Sequence, residues 1–214
     1  MKTVALILAR GGSKEIPNKN IKNINGKPLI CYTINSAKKS KVDEVWVSTD
    51  CKKIKDISLK SEARVIDRPA EISLDTSQAE EALLHFAENI DFDIMVFIQP
   101  TSPLLQSSYI NEGLLKINSY DSVFSAHKEH WTPRWSLDVR PIDWDVKNRP
   151  RRQDIEEVYV ENGAFYITTK NNLINSKNRF SGNIGVVEMP FSEGFQVDSL
   201  QDFKFIESLI KIKS

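Results

Sequence analysis

Apolar residues come in blocks along this chain, and the spacing inside each block changes from one to the next. Thr3 to Ala9, Glu44 to Thr49, Ala63 to Ile66, Ile94 to Gln99 and Ser122 to Ala126 are short runs rich in β-branched and aliphatic side chains, which predict strands. Two of them, VALILA and IMVFI, are apolar throughout, the pattern of parallel strands covered on both faces. Between the runs the period becomes helical. Pro28 to Lys39, after the turn signal Asn25-Gly26, aligns Leu29, Tyr32, Ile34 and Ala37. Thr76 to Asn89 aligns Ala79, Leu83, Phe86 and Ala87, with Asp75 standing where an N-cap belongs. Strand, helix and strand in succession predict right-handed crossovers and a three-layer α/β/α sandwich. Ligands of such a sheet lie beyond the carboxyl ends of its strands.

The rhythm breaks from Lys128 to Glu157, where Trp131, Trp135 and Trp144 sit among Pro133, Pro141 and Pro150 without a helical or strand period. That stretch is too aromatic for a linker and too irregular for the core, so it is expected to pack against something else, a partner subunit being one candidate. A strand pattern resumes from Val158 to Thr169 and again at NIGVVEM. A closing helix from Ser199 carries Leu200, Phe203, Ile206, Leu209 and Ile210 on one face, with Ser199 and Asp202 in a capping-box-like spacing. At 214 residues the whole chain, 1–214, is expected to be a single domain.

Charge alters this picture only locally. Lys and Arg number 29 and Asp and Glu 29, so no global field draws the chain to nucleic acid or to a membrane. Cys31 and Cys51 have no metal-ligand or redox spacing and read as reduced thiols. The start resembles a leader, but its apolar core is short and charge returns at Arg10 and Lys14. No run approaches the roughly 20 apolar residues of a membrane span. A soluble, cytoplasmic protein is expected.

The local charges fall at strand ends. After the first run, ARGGSKEIPNKN combines Gly11 and Gly12, which allow close backbone approach, with the cations Arg10, Lys14 and Lys19. It is a phosphate loop or a surface turn, and it satisfies neither the dinucleotide fingerprint nor the P-loop. QPTSPL offers Gln99, Thr101 and Ser102 on a proline-stiffened loop, and DRPAEISLDTS brings Arg68 and Asp75 before a helix. NRPRRQD gathers Arg149, Arg151 and Arg152, either a solvated charge run or a grip for a carboxylate. Asp198 precedes the last helix, where it either caps or holds a cation. His85, His127 and His130 have no ligand spacing and no assigned role.

In order along the chain, LARGGSKEIPNKN, NGKPLI, VSTD, RPAE, QPTSPL, RPRRQD, ENGAFYI and VDSLQDF resemble the CMP-sialic acid synthetases, the acylneuraminate cytidylyltransferases. The RPRRQD and ENGAFY portion looks more like the catalytic domain of animal members, whereas the absence of a further C-terminal domain is the expectation for a bacterial one. The resemblance implies a Rossmann-like, nucleotide-binding, mainly parallel sheet with a small dimerisation excursion at 128–182. It implies transfer of CMP from CTP to a nonulosonic acid with release of pyrophosphate, by a homodimer using Mg²⁺.

By that resemblance Arg10, Gly11, Gly12, Ser13, Lys14, Asn20 and Arg68 bind the nucleotide, and Arg10, Lys19 and Asp198 are catalytic. Asp198 is the metal ligand, and Gln99, Thr101, Ser102, Arg152, Gln153 and Asn162 face the sugar, Arg152 being the candidate for its carboxylate. Two positions depart from the family pattern. Gln196-Val197-Asp198 stands where Asp-x-Asp is common, and Glu15 replaces a loop glycine. Related readings are activation of an eight-carbon acid of the Kdo type and, given Gln196, a catalytically weak nucleotide-binding protein.

Overall fold

The computed structural model describes residues 1–213. Seven strands form one sheet: β1 (Thr3–Leu8), β4 (Glu44–Thr49), β5 (Arg64–Asp67), β6 (Ile94–Ile98), β7 (Ser122–Glu129), β10 (Val158–Thr169) and β11 (Ile184–Glu188), in the order β11-β7-β10-β6-β1-β4-β5. Between them in the chain lie two small ribbons, β2 (Asn23–Ile24) with β3 (Lys27–Pro28), and β8 (Arg134–Trp135) with β9 (Pro141–Ile142). Pairing is parallel throughout the large sheet except at β10, which runs antiparallel to β6 and β7. The mainly parallel three-layer sandwich expected from the block pattern is therefore present.

Each face of the sheet has its own cover. Ala5, Ile7, Val96, Ile98, Phe165 and Ile167 pack with Ile30 and Ile34 of α1 (Leu29–Lys38), Ile54 of α2 (Lys52–Lys60) and Ile110 of α4 (Ser107–Lys116). Val4, Leu6, Met95, Phe97 and Tyr166 pack on the other face with Leu83 and Phe86 of α3 (Ala79–Asn89) and Leu173 of α5 (Lys170–Ser176). The side chains of β1 alternate between the two clusters, which is why its sequence is apolar at every position. The last helix, α6 (Leu200–Lys213), covers neither face. Its Phe203, Ile206 and Ile210 join Val197, Leu29 and Leu104 around the fully buried Ile16, at the end of the sheet where the glycine loop emerges.

Differences from the sequence reading have physical causes. The helices α2, α4 and α5 lack a readable apolar stripe: α2 buries only Ile54 and Ser58, and α5 only Leu173. The first residue of α3 is Ala79, and its N-cap residue Gln78 makes no side-chain cap bond. Asp75 is not the helix cap, because it lies short of the helix and its carboxylate is drawn to Arg10 and Lys14 instead. The capping box on α6 forms, with the amides of Ser199 and Asp202 donating to Asp202 Oδ2 and Ser199 Oγ. Within 128–182, the part from Val158 onward belongs to the sheet and to α5, so what projects is about residues 130–157. There Trp135 and Trp144 meet edge to face at 5.0 Å, while Leu137, Val139 and Val146 stay exposed. No helix among the described residues is long and apolar enough to cross a membrane.

Candidate active site

Strand β1 ends at Leu8 and hands the chain to the loop at 9–22, which is held at several points. The Ala9 amide donates to the Ser48 carbonyl at 3.0 Å, and the Gly11 amide donates to Asp50 Oδ1 at 2.7 Å. Gly12 is in the left-handed region at φ 70°, where a glycine avoids the strain a side chain would bring. A Cβ on Gly11 would stand 3.2 Å from Cys51 Cβ, so that glycine lets the loop approach the start of α2. Ile16 anchors the middle in the core under α6, and the Asn20 side-chain amide donates to the Arg10 carbonyl at 3.1 Å, closing the loop on itself. This is a braced cradle and not a free surface turn.

A cavity of about 540 Å³ opens over that cradle. Arg10, Ser13, Lys14, Lys19, Asn20, Arg68, Gln99, Thr101 and Asp198 line it. Nine of the candidate positions are therefore brought together from four separate loops. Gly11 and Gly12 shape the turn beneath them and are not wall residues.

Every cation here has a carboxylate close by. Arg10 and Lys14 both pair with Asp75, each at 2.6 Å, and this holds the Asp75 carboxyl below its ordinary value, mainly through the bond from Lys14. Lys19 Nζ donates to the Val197 carbonyl at 2.9 Å and to Asp198 Oδ1 at 3.1 Å. Arg68 is buried, donating to the Ser48 carbonyl and hydroxyl at 2.6 and 3.1 Å. Burial lowers its pKa to about 10, against the favourable pull of Asp50, so it stays charged at neutral pH. Asp50 and Asp75 are the acids that the sequence reading left without a role at the cradle. Both lie in motif segments already singled out, VSTD and the loop after RPAE.

Past Gln99 and Asp198 the space continues into a second cavity of about 420 Å³, walled by Gln99, His127, Glu161, Asn162, Gly163, Tyr166, Phe191, Gly194, Phe195, Gln196 and Asp198. No Lys or Arg lines it. Asn162 is buried, with Oδ1 accepting from Ser125 Oγ at 2.6 Å and from the Ala164 amide at 3.1 Å. Gln196 ties two loops together: its Nε2 donates to the Asn162 carbonyl at 2.6 Å and its Oε1 accepts from Thr101 Oγ1 at 3.3 Å. The Tyr166 hydroxyl donates to Glu161, and burial with that neighbour pushes the phenol pKa up.

Three candidates lie apart from both cavities. Ser102 is fully buried, its Oγ enclosed without a partner, and it lines neither cavity although its neighbour Thr101 lines the first. Arg152 and Gln153 line a separate pocket of about 370 Å³ with Glu129, His130, Trp131, Ile155, Glu156 and Glu157. Of its neighbours, Arg151 pairs with Asp154 at 2.7 Å and Arg149 lies over Trp144. Glu15 is exposed on the rim of the first cavity, and nothing in the structure explains an acid there.

Gln196, standing where a second acid was expected, is committed to holding loops. Asp198 is different: its side chain is 65% exposed, and only Oδ1 is engaged, by Lys19. A single open carboxylate suits Mg²⁺ that arrives on phosphates, since that ion commonly takes one or two protein carboxylates and completes its shell with phosphate oxygens and water.

A family model described as Cytidylyltransferase matches residues 4–209. N-acylneuraminate cytidylyltransferase B of Danio rerio is 40% identical over 91% of this chain and 48% of its own length. The N-acylneuraminate cytidylyltransferase of Oncorhynchus mykiss is 42% identical over 78% of this chain and 41% of its own. The chain thus spans about half the length of these curated relatives. Post-translational flagellin modification protein B of Campylobacter coli is 33% identical over 97% of this chain and 94% of its own. Among solved structures, a CMP:2-keto-3-deoxy-manno-octonic acid synthetase complexed with CTP superposes with a TM-score of 0.77 over both full chains at 17% identity, a likeness of fold.

Proposed function

The chain belongs to the cytidylyltransferase family, and from that premise we propose that it transfers CMP from CTP to the anomeric hydroxyl of a nonulosonic acid, releasing pyrophosphate. The observation that carries this reading is the pair of joined cavities, one lined by Arg10, Lys14, Lys19 and Arg68 and the other free of cations. A triphosphate matches the first. The hydroxyls of a sugar acid match the amides and tyrosine of the second, its carboxylate needing a cation from outside that lining, with Gln99 and Asp198 at the junction where the two substrates would meet.

In the reaction, the anomeric oxygen forms a bond to the α-phosphorus while the bond from that phosphorus to the α–β bridging oxygen breaks. The electron pair leaves with pyrophosphate, and the hydroxyl proton is released. Catalysis is then mainly positioning and neutralisation of charge. Arg10, Lys14 and Lys19 receive the phosphate oxygens, with Ser13 and Asn20 adding polar contacts and the backbone at Gly11 and Gly12 giving room. Arg68, pinned to Ser48, presents a fixed charge beside them. Asp198 would hold Mg²⁺, which when bound supplies positive charge to the phosphates. Because Asp75 and Asp198 engage the cations beforehand, binding of triphosphate is an exchange of anionic partners.

We further propose a homodimer in which the segment at about 130–157 carries Arg152 and Gln153 to the partner's sugar site. That Arg152 and Gln153 line neither cavity of their own chain supports this, as do the exposed apolar Trp135, Leu137, Val139 and Val146. The free thiols Cys31 and Cys51 support a cytoplasmic setting.

The test is pyrophosphate release from CTP and Mg²⁺ across a panel of nine-carbon and eight-carbon 2-keto sugar acids, with the CMP-sugar identified by mass. Release dependent on a nine-carbon acid is expected. Release with none of the acids, or only with an eight-carbon acid, overturns the reading. For the dimer, mixing Lys19→Ala with Arg152→Ala chains should restore about a quarter of wild-type activity, since half of the random pairs are mixed and each mixed pair keeps one intact site. No recovery together with a monomer mass in light scattering overturns the dimer.

A further inference from the structure

His127 sits on β7, opposite Val160 of β10, on the wall of the second cavity. Its Nδ1 is enclosed and has no hydrogen-bond partner, and its ring meets Phe191 edge to face at 5.0 Å. A neutral imidazole carries one proton, and an orphaned buried N–H is rarer than a buried acceptor without a partner. The proton therefore belongs on Nε2, the nitrogen left open toward the cavity.

The other side-chain donors of that cavity are largely spent. Gln196 Nε2 donates to the Asn162 carbonyl, the Tyr166 hydroxyl to Glu161, and Asn162 Nδ2 points at Met189 Sδ. Among the described residues, Gln99 Nε2 and His127 Nε2 are the side-chain nitrogen donors of that wall that make no bond within the protein, while the amides of Gln196 and Asn162 each keep one further N–H. Gln99 borders both cavities, so it stands where the reacting carbon and the carboxylate attached to it must lie. His127 lines only the second cavity, beside the largely exposed ring of Phe191. A donor without a protein partner next to an open aromatic surface is complementary to an acylamido group, whose carbonyl oxygen accepts and whose alkyl end is apolar.

We infer that His127 is a specificity-determining residue, donating from Nε2 to the carbonyl oxygen of an acylamido substituent remote from the reacting carbon, with Phe191 against the acyl carbon. This rests on the proposed transfer to a nonulosonic acid.

The test compares the N-acylated nonulosonic acid that the wild type uses best with the analogue bearing a hydroxyl in place of the acylamido group. His127→Phe keeps an aromatic ring against Phe191 and removes the donor. It should raise KM for the acylated sugar about tenfold, while KM for CTP and for the hydroxyl analogue stays within about twofold. His127→Gln, whose amide reaches a similar point, should recover most of the loss. Equal effects on the two sugars, a rise in KM for CTP, or no change in the ratio overturns the assignment while leaving the proposed reaction standing. Failure of the wild type to turn over any sugar acid is a separate result, and it overturns that reaction and the assignment built on it.

Discussion

The first cavity gathers four cations, each with a carboxylate of the same chain nearby, whereas the second draws no Lys or Arg among the described residues and sets its polarity with amides, an imidazole, a tyrosine and the carboxylates of Glu161 and Asp198. The difference is one of how each site is kept ready. Clustered cations repel one another, so the first cavity keeps them together with Asp75, Asp198 and Asp50, of which Asp75 holds Arg10 and Lys14 by ion pairs that a more highly charged ligand can displace. Neutral donors need no such counter-charge. The second cavity is ordered by bonds among its own walls, from Ser125 to Asn162, from Gln196 to the Asn162 carbonyl, and from Thr101 to Gln196.

The contrast breaks most sharply at the cradle. Arg10→Ala or Lys19→Ala should lower kcat/KM for CTP by about 10²- to 10³-fold, the usual loss when one stabiliser of developing charge is removed. The unfolding midpoint of Arg10→Ala should change little, because its ion pair with Asp75 is part-exposed, whereas Lys19→Ala should also lose some stability with its bond to the Val197 carbonyl. Initial rates of pyrophosphate release and urea denaturation on the same samples check this, and a large drop in stability with unchanged kinetics contradicts it.

In the second cavity the weight should shift from activity to stability. Gln196→Asp supplies the carboxylate expected at this position but leaves the Asn162 carbonyl without its donor. A loss of about 1–3 kcal/mol in urea unfolding is expected, along with retained CTP binding. Unchanged stability would show that Gln196 is not a structural tie.

The smallest effect is expected at Asp75, whose carboxylate competes with the triphosphate for Arg10 and Lys14. Asp75→Asn should lower the Kd for CTP by about three- to tenfold, as measured by calorimetry. The pH dependence has a defined sign: the folded pKa of Asp75 is depressed below 3.8, so its ion pairs add stability above that value and lose it as pH falls through the lower folded pKa. Removing Asp75 should therefore flatten the acid limb of the stability curve. A weaker affinity for CTP in the variant would mean that Asp75 positions the cations and does not compete for them.

Much of this was readable one segment at a time. VALILA is apolar at every residue because both faces of β1 are covered, and the same signal foretold β6. The braced loop at 9–22 was suggested by its glycines and cations, and the order of the eight motifs assembled nine of the candidate positions around one cavity. Asp75 was misread as a helix cap because the cap position is a local rule, while its partners Arg10 and Lys14 are distant in the chain. QPTSPL offers Gln99, Thr101 and Ser102 alike as hydrogen-bonding groups, and its loop composition does not show that the Ser102 side chain is the one enclosed. His127 carried no motif at all: a single histidine in a strand gains meaning only from the cavity it faces. The antiparallel direction of β10 was equally silent, since strand period does not depend on direction.

Local preferences are thus legible along the chain: most of the strands, the helices with an apolar stripe, the strands buried on both faces, and the places where glycine and positive charge follow a strand. Packing in three dimensions settles which acid neutralises which cation, that Gln196 fastens two loops, and that Arg152 and Gln153 line a pocket other than the two cavities. The reason is physical. Burial and backbone preferences act through neighbours along the chain, whereas ion pairs and hydrogen bonds depend on distances of a few ångströms between atoms that only the packed sheet and its helices bring together.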